Sequence, residues 1–176
     1  KLHRVRPTVV LQQYEEEGAR LGAPTQLFYG TRKDKARSIS REGFKLPDKA
    51  GPFGKGVHLA PCPLMSASLA PETSWMPLAK RIVTRPWAAL KKENGTMLLC
   101  DVYLGTTMTL RWKNRDFNPA EDLKGGWLRE SLGLGDYDSV YAPGGFFGAV
   151  TVDEYIVYKV KQAVPRYLIE FEYERK

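Results

Sequence analysis

The segment "YLIEFEYE" at 167–174 constrains the fold more than any other stretch of this sequence. One set of alternate positions carries Tyr167, Ile169, Phe171 and Tyr173, and the other carries Glu170, Glu172 and Glu174. Successive side chains of a β-strand point to opposite faces of the sheet, so this alternation is typical of a half-buried antiparallel strand. The segment therefore predicts an antiparallel sheet in the second half of the chain.

Other segments of the second half also favour β-structure. "TMLLCDVYLG" (96–105) is apolar almost throughout, which is typical of a central strand, and "TTMTLRW" (106–112) is a candidate partner strand. "EYIVYKV" (154–160) reads as a buried strand, and "YDSVYAPGG" (137–145) as a short strand followed by a turn. Residues 113–136 are rich in Asn, Asp, Gly and Pro and predict a long excursion, which is often functional.

The first half favours helices. A first helix is expected from Thr8 to a stop at Gly22, and a short buried strand at "QLFYG" (26–30). "TRKD" (31–34) resembles a capping box that opens a second helix, which ends at Gly43. The side chains expected to face inward are Val10, Tyr14 and Leu21 on the first helix and Ala36 and Ile39 on the second.

Between the two halves the chain is rich in loop-forming residues. Prolines and glycines predict a loop at 45–56, which leads to a short strand "VHLA" (57–60). A turn or helix is expected through "LMSASLA" (64–70), and mostly loop over 71–95. Because 176 residues suffice for one well-buried domain but not comfortably for two, we expect residues 1–176 to form a single α+β domain. The chain begins without Met, and we expect it to be cut from a larger protein.

Composition and charge narrow the classes of partner. No apolar run approaches the ~20 residues of a membrane span, so no membrane contact is expected. Lys and Arg exceed Asp and Glu by 27 − 20 = 7, which favours acidic partners such as phosphates, nucleotides or nucleic acid; the alternative is a basic but ordinary surface. Cys62 and Cys100 form no CxxC pair and have no His nearby, so we expect no metal site. Free thiols indicate a reducing compartment, the nucleus or the cytoplasm.

Four segments together resemble one known family. They are "LFYGT" (27–31), "FGKGVHLAPCPLMSASLA" (53–70), "YDSVYAPGG" (137–145) and "DEYIVY" (153–158). In this order they resemble the catalytic domain of poly(ADP-ribose) polymerase-like ADP-ribosyltransferases. Each motif alone is weak, but four in the right order and spacing, spread from position 27 to 158, are fairly specific. The resemblance implies an ADP-ribosyltransferase-like fold of split antiparallel β-sheets with a few helices.

The resemblance also implies a reaction. The family uses NAD+ as a substrate, breaks its nicotinamide–ribose bond and passes the ADP-ribose to an acceptor, with no metal. The ribose carbon becomes an oxocarbenium-like cation, and a nearby carboxylate stabilises that charge, as in glycoside hydrolysis. A His-Tyr-Glu triad serves this chemistry in the family. In this sequence the three positions fall on Tyr29, His58 and Glu154.

The nucleotide-binding positions carry over in part. Tyr29 would donate a hydrogen bond to the adenosine ribose in place of His, and His58 would stack on the nicotinamide in place of Tyr. Gly30 would hold the nicotinamide carboxamide through its backbone. Thr31, the last residue of the same motif, is also expected among the residues that bind NAD+. The remaining expected contacts are Ser66 on the carboxamide, Leu69 as an aliphatic wall where the family has an aromatic, and Phe53 and Lys55 of the loop 45–55 near the phosphates.

Each of these residues also has a structural interpretation. Glu154 can also be interpreted as a solvated strand-end carboxylate, His58 as a hydrogen-bonded core histidine, Tyr29 as a core aromatic and Ser66 as a helix-start residue. "GVHLAP" (56–61) is also similar to the plant radical-induced-cell-death group, several members of which are thought to lack transferase activity.

We therefore expect a monomeric, NAD+-dependent mono-ADP-ribosyltransferase that acts on a protein acceptor, with nucleic acid as a further possible acceptor or contact. The alternative is a catalytically inactive module of the same fold for protein interaction or for NAD+ or ADP-ribose binding. Long-polymer synthesis is disfavoured because the nucleotide site is altered. Arginine-directed toxins of the superfamily carry a second Glu two residues before the catalytic one; Val152 occupies that position here, which disfavours arginine as the acceptor.

Overall fold

A computed structural model describes residues 1–5, 8–63, 92–145 and 150–174 of the chain. The predicted α+β class is confirmed: these residues form two four-stranded sheets, with the two longest helices in the first half and shorter helical segments in the second. The strands are β1 (Leu2–Arg4), β2 (Thr25–Thr31), β3 (Val57–Leu59), β4 (Lys92–Val102), β5 (Thr107–Thr109), β6 (Ser139–Ala142), β7 (Glu154–Val157) and β8 (Ala163–Glu174). The helices are α1 (Thr8–Leu21), α2 (Lys33–Glu42), α3 (Pro119–Asp122), α4 (Gly126–Ser131) and a 3-10 turn η1 (Val160–Gln162).

The first sheet has the order β1-β8-β4-β2, and every neighbouring pair in it is antiparallel. Strand β4 is central, as its apolar sequence predicts, although it begins at Lys92, inside the expected loop, and ends at Val102. The prediction of an antiparallel strand at 167–174 is confirmed as well, because β8 pairs with β4 along nearly its whole length.

The second sheet has the order β3-β7-β6-β5. Strands β3, β7 and β6 are antiparallel neighbours, and β5 lies parallel to β6 at the edge. "TTMTLRW" is therefore a strand only at Thr107–Thr109, and its partner is β6 rather than the preceding strand β4. A crossover of about 30 residues separates β5 from β6, and this spacing permits the parallel pairing.

One isolated bridge joins the two sheets. The amide of Phe28 donates to the carbonyl of Ala60 at 2.8 Å, and the amide of Ala60 donates to the carbonyl of Phe28 at 2.9 Å. Because residues opposite each other in an antiparallel pair project to the same side, this bridge fixes which positions of β2 and β3 share a face. His58 lies on the side of Phe28 and Gly30, while Tyr29 lies on the other side.

Two cores pack on the two sides of these sheets. The first core lies under α2 and contains Leu27, Ala36, Phe44, Val57, Leu59, Leu98, Cys100, Val102, Val157, Ala163 and Leu168. The second core covers the opposite face of the second sheet and contains Phe53, Phe117, Leu123, Val140, Ala142, Ile156 and Tyr158. The alternation along β7 shows the division, because Ile156 belongs to the second core while its neighbours Tyr155 and Val157 pack in the first.

The helix ends are mostly as expected. Gly22 and Gly43 follow α1 and α2 with φ of 88° and 82°, a conformation that glycine adopts without steric cost. Of the side chains predicted to face inward, Tyr14 and Ala36 are buried and Ile39 packs against the first core. The side chain of Val10 is not among those that the structure describes. The predicted capping box is wrong, because α2 begins at Lys33 after Arg32, and Thr31 is the buried last residue of β2.

The two faces of β8 differ from a simple apolar-in, acidic-out arrangement. Leu168, on the glutamate side, is 8% exposed and belongs to the first core, while Tyr167 and Ile169 on the other side are half-buried. Glu170 lies on the Leu168 side and forms an ion pair with Lys33 of α2, with 2.7 Å between Lys33 Nζ and Glu170 Oε1. The first core therefore meets β8 on its acidic face, and the glutamate is accommodated by a lysine of the covering helix.

A buried carboxylate holds α1 against the connection between β7 and β8. Glu17 is 5% exposed and contacts Arg20 at 2.7 Å, Lys161 at 2.7 Å and Lys159 at 3.6 Å. Burial opposes its charged form, but the hydrogen bonds from Lys161 and Arg20 and the charge of Lys159 prevail and lower the pKa of Glu17 to about 2. The helix is thereby fixed to the residues that follow β7.

We predict that this carboxylate makes stability depend on pH. Its folded pKa lies below the usual 4.5, so its contribution is full above about pH 4.5 and is lost as pH falls towards 2. Glu17→Gln should lower the free energy of unfolding by about 2 to 3 kcal/mol at pH 7 and by much less at pH 3. Urea unfolding at the two pH values measures this. Glu15→Gln, at an exposed position of the same helix, is the control, and equal losses in both variants at pH 7 would contradict the prediction.

Candidate active site

Glu154 is the first residue of β7, and its side chain is almost enclosed. The residue is 8% exposed, although a strand end is an ordinary place for a solvated carboxylate. It lies on the same face as Ile156, the side of the second core. The interpretation of Glu154 as a strand-end residue in water is therefore wrong.

His58 holds this carboxylate. The imidazole Nδ1 lies 2.9 Å from Glu154 Oε2, and about a quarter of the His58 side chain is exposed. In the register of β3 and β7, His58 is opposite Ile156, so Glu154 is its diagonal neighbour on the same face. An ionised carboxylate only accepts hydrogen bonds, so the Nδ1 of His58 carries the proton that is donated to Glu154.

The loop between α2 and β3 encloses the histidine. Phe53 is fully buried, and its ring centroid lies 6.1 Å from that of His58. The Phe53 carbonyl accepts a hydrogen bond of 2.8 Å from the Tyr158 hydroxyl. His58 Nε2 is buried without a hydrogen-bond partner among the described atoms, and a Cβ built on Gly51 would lie 3.0 Å from it. Phe53 thus supports the ring of His58 instead of facing outward from a free loop.

The three predicted triad positions do not converge on one point. His58 and Glu154 are in contact, and Gly30 lies on their side of the bridged sheets. Tyr29 projects to the other side and packs edge-to-face on Phe44, with ring centroids 5.1 Å apart. Burial and, to a lesser extent, Cys100 raise the pKa of Tyr29, so its phenol stays protonated. Thr31, also on that side, is 7% exposed.

Two further predicted contacts fall in the part of the chain that the structure leaves out. Ser66 and Leu69 both lie outside the described residues, as do the expected turn or helix at 64–70 and most of the expected loop at 71–95. Lys55, the last predicted contact, lies in the described loop and is exposed.

Asp153 also contributes to the site, although the sequence motif assigned it no role. Its Oδ1 accepts a hydrogen bond of 2.8 Å from the amide of Gly144, which ties the turn after β6 to the residue before Glu154. A Cβ on Gly144 would lie 2.5 Å from the Asp153 nitrogen, so only glycine allows this approach. The signal available in the sequence is the acidic pair at 153–154 together with "APGG" (142–145).

A separate cleft of about 370 Å³ lies on the opposite face of the second sheet. It is lined by Leu21, Ala23, Thr25, Leu104, Gly105, Thr107, Thr109, Tyr141 and Tyr155. Tyr155 follows Glu154 directly in β7 and therefore points to the other side. None of the residues predicted to bind NAD+ lines this cleft.

The His58–Glu154 pair has a defined chemical capacity. A nearly buried carboxylate oriented by a histidine can stabilise a positive charge or accept a proton from an attacking hydroxyl. No group of three His, Cys, Asp or Glu side chains suited to a metal ion occurs within the described ranges. In the same part of the chain, no helix is long and apolar enough to cross a membrane.

Comparisons with known proteins give no assignment. No protein-family model matches the chain, and a search of curated proteins found no significant match.

Proposed function

We propose that this domain is an NAD+-dependent mono-ADP-ribosyltransferase, a glycosyltransferase that breaks the nicotinamide–ribose bond and transfers ADP-ribose to a macromolecular acceptor. The observation that carries the proposal is the 2.9 Å contact between His58 and the nearly buried Glu154, positions of two motifs 96 residues apart. The ordered motifs at 27–31, 53–70, 137–145 and 153–158, and the two split sheets, agree with it.

In this proposal Glu154 provides the electrostatic contribution to catalysis. Departure of nicotinamide leaves positive charge on the ribose carbon, and a fixed carboxylate in a partly dry site stabilises this charge more strongly than water does. The same carboxylate would polarise an attacking hydroxyl of the acceptor and receive its proton. Its low exposure fits this task, because a freely solvated glutamate would be screened.

His58 acts in this proposal as the residue that positions Glu154. Its Nδ1–H donates to one carboxylate oxygen, so the other oxygen is directed elsewhere. Its Nε2 is buried beside Gly51 and has no hydrogen-bond partner among the described atoms, so the contribution of His58 in this proposal is made through Nδ1. Gly30, on the same side, would present its backbone to the nicotinamide carboxamide.

One observation favours a second candidate, a catalytically silent module of this fold. Tyr29 packs on Phe44 in the first core, away from His58 and Glu154. A site with two of its three triad positions in contact can retain nucleotide binding without turnover. In that case the domain binds NAD+ or ADP-ribose, or a protein partner.

The two candidates are separated by incubating the protein with NAD+ radiolabelled on the adenylate phosphate. The transferase releases free nicotinamide, measured by chromatography, and incorporates label into itself or an added protein. A silent nucleotide-binding module shows an NAD+-dependent rise in Tm with neither product. Absence of nicotinamide release, label and Tm change would contradict the proposed function and leave only protein interaction.

A further inference from the structure

A short exposed loop beside the candidate site combines positive charge with an aromatic ring. Residues 111–115 read Arg-Trp-Lys-Asn-Arg, and every one of them is exposed. Trp112 is 78% exposed, which is unusual for the largest apolar side chain. Within the described residues, none of the three cations of this loop forms an ion pair with a carboxylate.

The strand register places this loop at the end of the second sheet where Glu154 lies. Thr109 of β5 is level with Tyr141 of β6, and the amide of Leu110 donates to the Tyr141 carbonyl at 2.9 Å. The next residue of β6, Ala142, is paired with Glu154. The chain therefore leaves β5 at the same end of the sheet at which β7 begins.

The loop is also anchored to the wall of the candidate site. The amide of Asn114 donates to the carbonyl of Pro52 at 2.9 Å. Phe117, three residues on, is 5% exposed in the second core and stacks on Tyr158 with centroids 5.2 Å apart. Trp112 thus projects from a segment that is held at both ends.

We propose that the segment 111–115, here called the Trp112 loop, is a binding surface for single-stranded nucleic acid. Arg111, Lys113 and Arg115 would contact backbone phosphates, and the exposed ring of Trp112 would stack on an unpaired base. The excess of seven positive charges in the chain would add a general attraction to such a polyanion. This binding does not depend on ADP-ribose transfer, so it can hold or fail separately from the proposed function.

The second exposed tryptophan of the described chain provides a comparison. Trp127 of α4 is 79% exposed, but its neighbours are Gly126 and Leu128. The nearest arginine in sequence, Arg129, donates to the Gly135 carbonyl at 2.9 Å and lies 4.2 Å from the centre of the Tyr137 ring. Trp127 is therefore equally exposed but has no cation adjacent to it in the sequence.

The first test measures the stacking contribution. A fluorescein-labelled 20-nucleotide oligo-dT is titrated with protein and followed by anisotropy. Trp112→Ala should weaken binding about tenfold, since stacking on one base contributes ~1–3 kcal/mol and 1.4 kcal/mol corresponds to tenfold. Trp127→Ala should leave the Kd within about twofold. Equal effects of the two substitutions, or no binding by the wild type, would overturn the proposal.

The second test measures the phosphate contacts. The variant R111Q/K113Q/R115Q should reduce the slope of log Kd against log salt concentration by about 2. Each phosphate of a single strand that the protein neutralises contributes roughly 0.7 to this slope, and the variant loses three such contacts. The control K35Q/R37Q/R41Q removes the same charge from exposed positions of α2. If both triple variants change the slope equally, the attraction is one of overall charge and the Trp112 loop is not a site.

Two further arms separate the proposed partner from other phosphate ligands. Oligo-dT should bind at least about tenfold more tightly than an A·T duplex of equal length, because only unpaired bases can stack on Trp112. Equal binding of the duplex would overturn the single-strand assignment. The NAD+-dependent rise in Tm, if present, should be unchanged by Trp112→Ala, and its loss would assign the loop to the dinucleotide instead.

Discussion

Glu154→Gln is expected to lower ADP-ribose transfer at least about a hundredfold. The substitution removes the negative charge that would face the ribose cation, and loss of one preorganised electrostatic contact at a reacting centre commonly costs ~10²–10³ in kcat. The folded structure should tolerate the change, because the glutamine oxygen can still accept the hydrogen bond that His58 Nδ1 donates to Glu154 at 2.9 Å. The Tm should therefore change little, and the KM for NAD+ should change much less than kcat.

Glu172→Gln is the matched control for this prediction, because Glu172 is an exposed carboxylate on β8. Rates of nicotinamide release by the wild type and both variants, with their melting temperatures, form the measurement. A Glu154→Gln protein that melts normally and turns over at the wild-type rate would exclude this carboxylate from the chemistry. A variant that loses activity together with several degrees of Tm would indicate a structural role for Glu154.

Gly54→Ala is expected to destabilise the fold strongly, although it adds only one methyl group. Gly54 has φ of 74°, in a region that costs an L-residue ~1–2 kcal/mol, and a Cβ there would collide with the carbonyl oxygen of Phe117. The carbonyl belongs to backbone and cannot rotate away as a side chain would. We expect a loss of about 3 kcal/mol or more in the free energy of unfolding, equivalent to ~6–12 °C in Tm for a domain of this size.

The substitution should also affect the site, since the Gly54 carbonyl accepts a hydrogen bond from Gly51 at 2.8 Å and Phe53 lies against His58. Gly133→Ala is the control, because Gly133 has φ of 67° and no atom lies within 4 Å of the position that a Cβ would take there. It isolates the conformational cost, expected at about 1 kcal/mol. Thermal and urea unfolding of both variants measure the difference, and equal destabilisation would show that the contact with Phe117 is unimportant.

The fold was predictable where the local pattern decides the structure. The apolar run at 96–105 identified the central strand, the alternation at 167–174 identified an antiparallel strand, and Gly22 and Gly43 identified two helix ends. The parallel pairing of β5 with β6 was not predictable, because three residues of β5 carry no signal of their partner. The capping-box prediction was wrong because Thr31 is part of strand β2 and pairs with β4. The four residues of the motif contain no sign of that pairing.

The candidate site was predictable only in part. The meeting of His58 and Glu154 was expected from the family resemblance and not from spacing, since 96 residues separate them. The side on which Tyr29 projects depends on the bridge between Phe28 and Ala60, and such a register cannot be read from either strand alone. Likewise, the loop composition at 45–56 predicted irregular backbone correctly but gave no sign that Phe53 is buried in one core with Phe117 and Leu123.

The proposed function requires the Glu154 carboxylate to face the ribose of a bound NAD+. A crystal structure with a non-hydrolysable NAD+ analogue tests it most directly. We predict that the anomeric ribose carbon lies within about 3.5 Å of a Glu154 oxygen, the distance of a reactive arrangement, with His58 still donating to the other carboxylate oxygen. An analogue bound instead in the cleft beside Thr107 and Tyr155, on the opposite face of the sheet, would contradict it.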